Sequence, residues 1–246
     1  MFVRISDIIG ILKLEIKIMK LILFDIDGTL IGGKHGHPKS YSDAIKAIHG
    51  IDIEIDWKGV QGMTDQQILT KYLVVNNIPE NIISKNMVSY MKEMEKSFNA
   101  SIGNSTIHPL DGVEKLLIEL KSKGALLGLV TGNIVSIARA KLEKLNLWGY
   151  FNVGGFGSDD ISRARLVKLA IQRAEKKFNF VFAKNVILFG DAPQDMNAGI
   201  DADIYTIGVT TGVYSKEDLN KVGAKVVVDS LKNTKEIVKL IDSILL

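Results

Sequence analysis

Residues Leu21 to Leu30 read LILFDIDGTL. Four apolar residues lead straight into Asp25, a second carboxylate follows at Asp27, and Gly28-Thr29 turns the chain away. The apolar run predicts a buried strand, where unpaired acids cost several kcal/mol each, on the order of 5. Two acids at the carboxyl end of such a strand, opening onto a glycine turn, suit a metal ion and an anionic ligand.

Similar runs recur along the chain at Ala125 to Val130, Val186 to Phe189, Ile204 to Val209 and Lys225 to Val228. Segments with helical apolar spacing alternate with them. Leu116, Leu117 and Leu120 form one face of a helix from about Val113, with Gly124 as its stop. Ile134 to Leu145 and Leu166 to Ala174 follow the same rule. Alternation of this kind predicts an α/β fold, a parallel sheet covered by helices.

Residues 33–107 interrupt it and read mainly as helices, with no buried strand after Ile55. Thr64 and Gln67 have the spacing of a capping box, followed by an apolar face of Ile68, Leu69, Tyr72 and Leu73. Met87, Met91 and Met94 make another helical stripe, read as core. Such a stretch is too long for a simple crossover and predicts an inserted helical domain. The core domain would then comprise 1–32 and 108–246.

Lys and Arg number 31 against 28 Asp and Glu, for a net charge of +3. The lysines are spread along helical stretches with no dense basic block, so nucleic acid is not expected as a partner. The chain has no cysteine, which excludes disulfides and thiol catalysis. No apolar run is long enough for a bilayer, so no membrane partner is expected. Residues 1–18 alternate charge with Ile and Leu and lack a small-residue cleavage site, which speaks against a signal peptide and for a cytoplasmic protein. Either the natural start is at Met19, or these residues add an edge strand or an amphipathic helix as an N-terminal extension.

In open parallel sheets, ligands bind beyond the carboxyl ends of the strands. Three strand ends here carry chemistry: Asp25-Ile-Asp27-Gly28-Thr29, Thr131-Gly132-Asn133, and Gly190-Asp191-Ala-Pro-Gln-Asp195. Asp25 is placed to act as a nucleophile, since carboxylates form acyl-phosphate intermediates. Asp27 is placed to protonate the leaving oxygen and then to activate water. The two acids call for a hard divalent cation, and oxygen ligands favour Mg²⁺, with Asp191 as a further carboxylate and Asp195 supporting from outside. Thr131 and the backbone N–H groups of Gly132 and Asn133, at a helix start near Ile134, suit phosphoryl oxygens. A balancing cation is expected from Arg163, Arg165 or Lys168. His35 and His37 flank Gly36 with no third ligand in view, and read as a loop near a hinge. Gly154-Gly-Phe-Gly157 does not match a dinucleotide fingerprint, and no Walker sequence is present.

FDIDGTL, LVTGN and FGDAPQD, in this order, resemble motifs one, two and four of the haloacid dehalogenase superfamily. HPLDGVEKLLIELKSKGALLGLVTGN, GVTTGVYSKEDL and AKVVVDSL resemble its phosphoglycolate-phosphatase-like branch. The resemblance implies a Rossmann-like core with a mobile helical cap of the C1 type inserted after motif one. It implies Mg²⁺ held by Asp25, the backbone carbonyl of Asp27 and Asp191, and phosphate or substrate contacts from Gly28, Thr29, Thr131, Gly132 and Asn133. Motif three departs from the commoner lysine-proline pattern: this chain has Ser162-Arg163-Ala-Arg165-Leu166 and no proline. Arg163 is the first choice for its cation and Arg165 the second. Gly59 to Thr64 falls where relatives place a specificity loop, and hinges are expected near Ile31 to Gly33 and His108-Pro109. The activity implied is Mg²⁺-dependent hydrolysis of a small phosphorylated metabolite, with 2-phosphoglycolate as a candidate. A sugar phosphomutase and a catalytically silent binding protein on the same fold are the alternatives. Asp27 argues against dehalogenation, which needs no leaving-group acid. Nothing in the sequence selects between a monomer and a homodimer.

Overall fold

The computed structural model describes residues 19–34 and 36–244; residues 1–18 and His35, on which two expectations fall, lie outside them. Strand β1 (Leu21–Phe24) is buried at every position and lies between β4 (Leu126–Thr131) and β6 (Val186–Gly190), parallel to both. A central strand needs an apolar side chain on both faces, and LILF supplies them by the period-two alternation of a strand. Ile22 and Phe24 join one core cluster and Leu21 and Leu23 the other. Phe24 stacks on Phe189 of β6 with ring centroids 5.1 Å apart.

The six-stranded sheet runs β5-β4-β1-β6-β7-β8, all parallel, with β5 at Val153–Phe156, β7 at Tyr205–Val209 and β8 at Val226–Val228. The chain builds outward from β1 through β4 to β5, then crosses back to β6 and builds the other way, so the crevice between β1 and β6 is the switch point. One face is covered by α4 (Val113–Ser122), α5 (Val135–Lys144) and α9 (Thr234–Ile244). The other is covered by α6 (Arg163–Phe178) and α7 (Pro193–Asp201), and α8 (Lys216–Lys221) packs against β7 and β8. Strand β5 was not foreseen. Its sequence, VGGF, has two glycines where strand propensity asks for branched residues, and only its pairing with β4 makes it a strand.

After β1 the chain forms β2 (Ile31–Gly32), which pairs antiparallel with β3 (His108–Pro109). Between them lie α1 (His37–His49), α2 (Asp65–Val75) and α3 (Glu80–Ser101). These helices share a separate core of Tyr41, Ile45, Leu69, Tyr90, Met94 and Phe98, which also takes in Ile134, at the cap of α5, and Ile137 in its first turn. Of the methionine stripe, Met94 is fully buried, while Met87 and Met91 pack against its edge. The capping box is present: Gln67 N–H donates to Thr64 Oγ1 (3.3 Å) and Thr64 N–H to Gln67 Oε1 (2.9 Å). No described helix is long and apolar enough to cross a membrane.

Candidate active site

The loop after β1 is tightened by amides of Leu30 and Ile31 donating to the Ile26 carbonyl (2.9 and 3.0 Å). Gly28 turns it at φ +83°, where a Cβ would lie 2.4 Å from Asp191 Oδ2, so both the conformation and the space require glycine. This brings Asp25 and Asp191, from the adjacent ends of β1 and β6, together with Asp195 in the first turn of α7. One carboxylate oxygen from each of the three lies within 4.8 Å of the others, and all three are buried. Thr29 Oγ1 donates to Asp191 Oδ1 (3.1 Å), so the hydroxyl expected to meet substrate braces an acid instead. Asp195 Oδ2 accepts from the Ala192 N–H (3.2 Å), closing the first turn of α7, and its other oxygen is bonded to Arg163.

Arg163 opens α6, and its Nη1 donates to Asp25 Oδ1 (3.2 Å) as well as to Asp195. Its Nε is buried without a partner among the described residues. Arg165 does not reach the site. Its side chain is 73% exposed and paired with Asp160, because two residues along a helix turn the side chain to another face. Lys168 is likewise exposed.

One guanidinium cannot balance this many buried carboxylates. Asp25 is pushed well above the ordinary carboxylate range, first by burial and then by Asp195, with Arg163 opposing and Asp191 and Asp27 adding to the rise. Burial, reinforced by Asp195, lifts Asp191 to about 7. Asp195 is raised by burial, against the pull of Arg163. Three close hard-oxygen donors whose charge is disfavoured fit a divalent cation, which would relieve the repulsion. Asp25 and Asp191 are the donors open to such an ion, since both oxygens of Asp195 are already engaged.

Asp27, two residues after Asp25, faces the same cavity, which has a volume of about 220 Å³ and is also lined by Gly132, Asn133 and Arg163. Lys141 Nζ donates to both oxygens of Asp27 (2.9 and 2.7 Å), and Asn133 Nδ2 donates to Asp27 Oδ2 (2.8 Å). Thr131 is fully buried, and its hydroxyl accepts from Asn133 N–H (3.3 Å) and Nδ2 (2.7 Å). The far wall belongs to the helical segment: His37, Tyr41, Trp57, Val60, Met63 and Asp65. His37 is not part of a loop. It begins α1, is 2% exposed, and donates from Nε2 to Asp65 Oδ2 (3.2 Å). Asp65 also accepts from Tyr41 OH (2.6 Å) and from the Ile134 N–H at the start of α5 (2.8 Å). Burial and the Asp65 carboxylate push Tyr41 up, which keeps its hydroxyl a donor.

Sequence reading missed Lys141, Tyr41, Trp57 and Asp65. For Lys141 a signal was present: Ile137, Ala138 and Leu142 put position 141 on the buried face of α5, where a lysine needs a partner. Asp65 sits inside the capping box, whose local logic hides its contact with a residue 69 positions away.

A model of the haloacid dehalogenase-like hydrolase family matches residues 22–209. The chain belongs to that family. It is 24% identical over 221 residues to a phosphoglycolate phosphatase of Vibrio parahaemolyticus, an alignment spanning 89% of this chain and 96% of the relative. Among solved structures, a predicted phosphatase from Clostridium acetobutylicum superposes with a TM-score of 0.68 at 24% identity, covering 91% of this chain and all of that one (100%). CbbY from Rhodobacter sphaeroides, solved in complex with phosphate, gives 0.66 at 16% identity over 87% of this chain and 96% of its own. At these identities the solved structures establish a shared fold.

Proposed function

We propose that this hydrolase is a Mg²⁺-dependent phosphatase acting on the monoester of a small metabolite, with 2-phosphoglycolate the first substrate to try. The observation that carries this reading is the convergence of Asp25, Asp27 and Arg163 on one cavity at the switch point of the sheet. The phosphoglycolate phosphatase relative supports the choice of substrate.

In this mechanism Asp25 attacks phosphorus, the bond to the ester oxygen breaks, and an aspartyl-phosphate forms. Asp27 gives its proton to the departing oxygen and then takes one from the water that releases phosphate. Arg163 stands against Asp25 and neutralises charge on the phosphoryl oxygens, and its unpartnered Nε is a donor suited to one of them. The amides of Gly132 and Asn133 offer further donors. Mg²⁺ held by Asp25, the Asp27 carbonyl and Asp191 would supply Lewis-acid stabilisation of the same charge. Residues 33–107 act as a cap that opens about the β2–β3 ribbon to admit substrate and excludes water when seated.

The test is phosphate release from p-nitrophenyl phosphate with Mg²⁺, followed by a panel of phosphorylated metabolites. Asp25→Asn is expected to lower turnover by at least about 1,000-fold, as loss of a nucleophile does. Equal rates for wild type and variant would overturn the assignment. Transfer of phosphate within a sugar phosphate without net release would favour a phosphomutase, and no turnover of any monoester a binding protein.

A further inference from the structure

We propose that Lys141 is a positioning residue for Asp27, fixing the carboxylate in the orientation in which it serves the leaving oxygen. This rests on the reading of Asp25 as nucleophile and Asp27 as acid and base. Lys141 lies in α5, a helix of the core, and its side chain is fully buried. An ammonium taken out of water is strongly destabilising unless its donors are satisfied. Here they are: Asp27 Oδ1 and Oδ2 at 2.9 and 2.7 Å, Asn133 Oδ1 at 2.7 Å and His37 Nδ1 at 3.3 Å. His37 Nε2 faces the Asp65 carboxylate and must donate to it, which leaves Nδ1 as the acceptor that Lys141 meets.

Stability alone does not account for a buried ion pair at this position, since apolar residues in place of both Lys141 and Asp27 would do as well or better. What the lysine adds is directional. The backbone of Asp27 is held by the tight loop after β1, but the terminal torsion of its side chain is intrinsically broad. Lys141 bridges both of its oxygens while Asn133 holds Oδ2, so the plane of the carboxylate is set from two sides. The same ammonium touches His37, which stands on the helical segment and is tied through Asp65 to the Ile134 amide. The pose of Asp27 thus depends on the seating of that segment.

The role is read from leaving-group dependence. Wild type and Lys141→Met are compared with phosphate monoesters ranging from p-nitrophenyl phosphate, which needs little acid assistance, to a simple alkyl phosphate, which needs much. Turnover of the alkyl ester is expected to fall by about 100-fold or more, that of p-nitrophenyl phosphate by less than about fivefold. KM should stay within about threefold, because Lys141 does not touch the phosphoryl group. A uniform fall across the series, or a rise in KM with an unchanged leaving-group slope, overturns the proposal. If Lys141→Met does not fold, Asp27→Asn is compared with the double variant Asp27→Asn/Lys141→Met, which leaves no uncompensated buried charge. Equal rates on p-nitrophenyl phosphate support a role exercised only through Asp27; a further fall in the double variant overturns it. A wild-type protein that releases no phosphate from any ester defeats the underlying reading, whereas an active wild type with a uniform response in the variants defeats only the role of Lys141.

Discussion

Asp191 shares the electrostatic cost of the site with Asp25. It is buried, close to Asp25 and Asp195, and lifted to about 7 from an ordinary value of 3.8. Because its folded pKa is raised, the native protein holds a proton that the unfolded chain gives up between pH 3.8 and 7. Its ionisation therefore subtracts stability progressively as pH rises through that window, and none of the penalty exists below it. Asp25 is shifted in the same direction, by burial first. A divalent cation held by Asp25 and Asp191 would remove the penalty, so Mg²⁺ should stabilise the protein more at pH 8 than at pH 5. At a concentration of 100 times Kd, the gain from binding is about 2.7 kcal/mol, or roughly 5–10 °C in Tm for a chain of this size. Thermal melts with and without Mg²⁺ at both pH values check this; an equal shift at the two would contradict it.

The elements act as levers for these groups. Arg163 reaches Asp25 because α6 starts where it does, and α6 is held close to β5 by Gly155. A Cβ at Gly155 would lie 2.0 Å from the Leu166 carbonyl oxygen, a backbone atom that cannot swing aside. Gly155→Ala should therefore push α6 off the sheet. Overpacking of this kind costs about 1–3 kcal/mol, a fall in Tm of roughly 2–12 °C. Turnover should fall as well, since displacing α6 moves Arg163. Calorimetry and p-nitrophenyl phosphate kinetics on the variant measure both, and an unchanged Tm would refute the packing argument. The glycines that make this close approach possible are the same ones that conceal β5 from a propensity-based reading.

At the scale of the molecule, the helical segment meets the core domain through Ile134 and Ile137, which join its apolar cluster, and through a set of polar contacts. Asp65 N–H donates to the Gly132 carbonyl (2.8 Å), and Ile134 N–H to Asp65 Oδ2 (2.8 Å). Gln66 Nε2 donates to the Gly157 carbonyl (2.7 Å), and Gln194 Nε2, from the core, to the Gln61 carbonyl (3.0 Å). Polar contacts of this kind at such a junction open more readily than a core strand does. With Mg²⁺ and vanadate bound, the Asp65 and Ile134 amides should exchange hydrogen more slowly by a common factor, while the β1 and β6 amides keep their rates. Hydrogen exchange resolved to single residues tests this, and independent responses at the two amides would show that the segment does not seat as a unit.

The sequence alone was enough for the parallel sheet, the helical excursion between its first two long strands, and the three loops that carry Asp25, Asp27, Gly132, Asn133 and Asp191. Each is written locally, as apolar alternation, helical spacing, or an acid at a strand end beside a glycine. Tertiary structure decided which of two arginines meets Asp25, that Thr29 serves Asp191, and that Lys141, His37, Tyr41 and Asp65 join Asp27 in one buried network. These are pairings between residues as far as 162 positions apart. Local propensity is blind to them, because a polar side chain reads the same whether it faces water or a partner brought in by the fold.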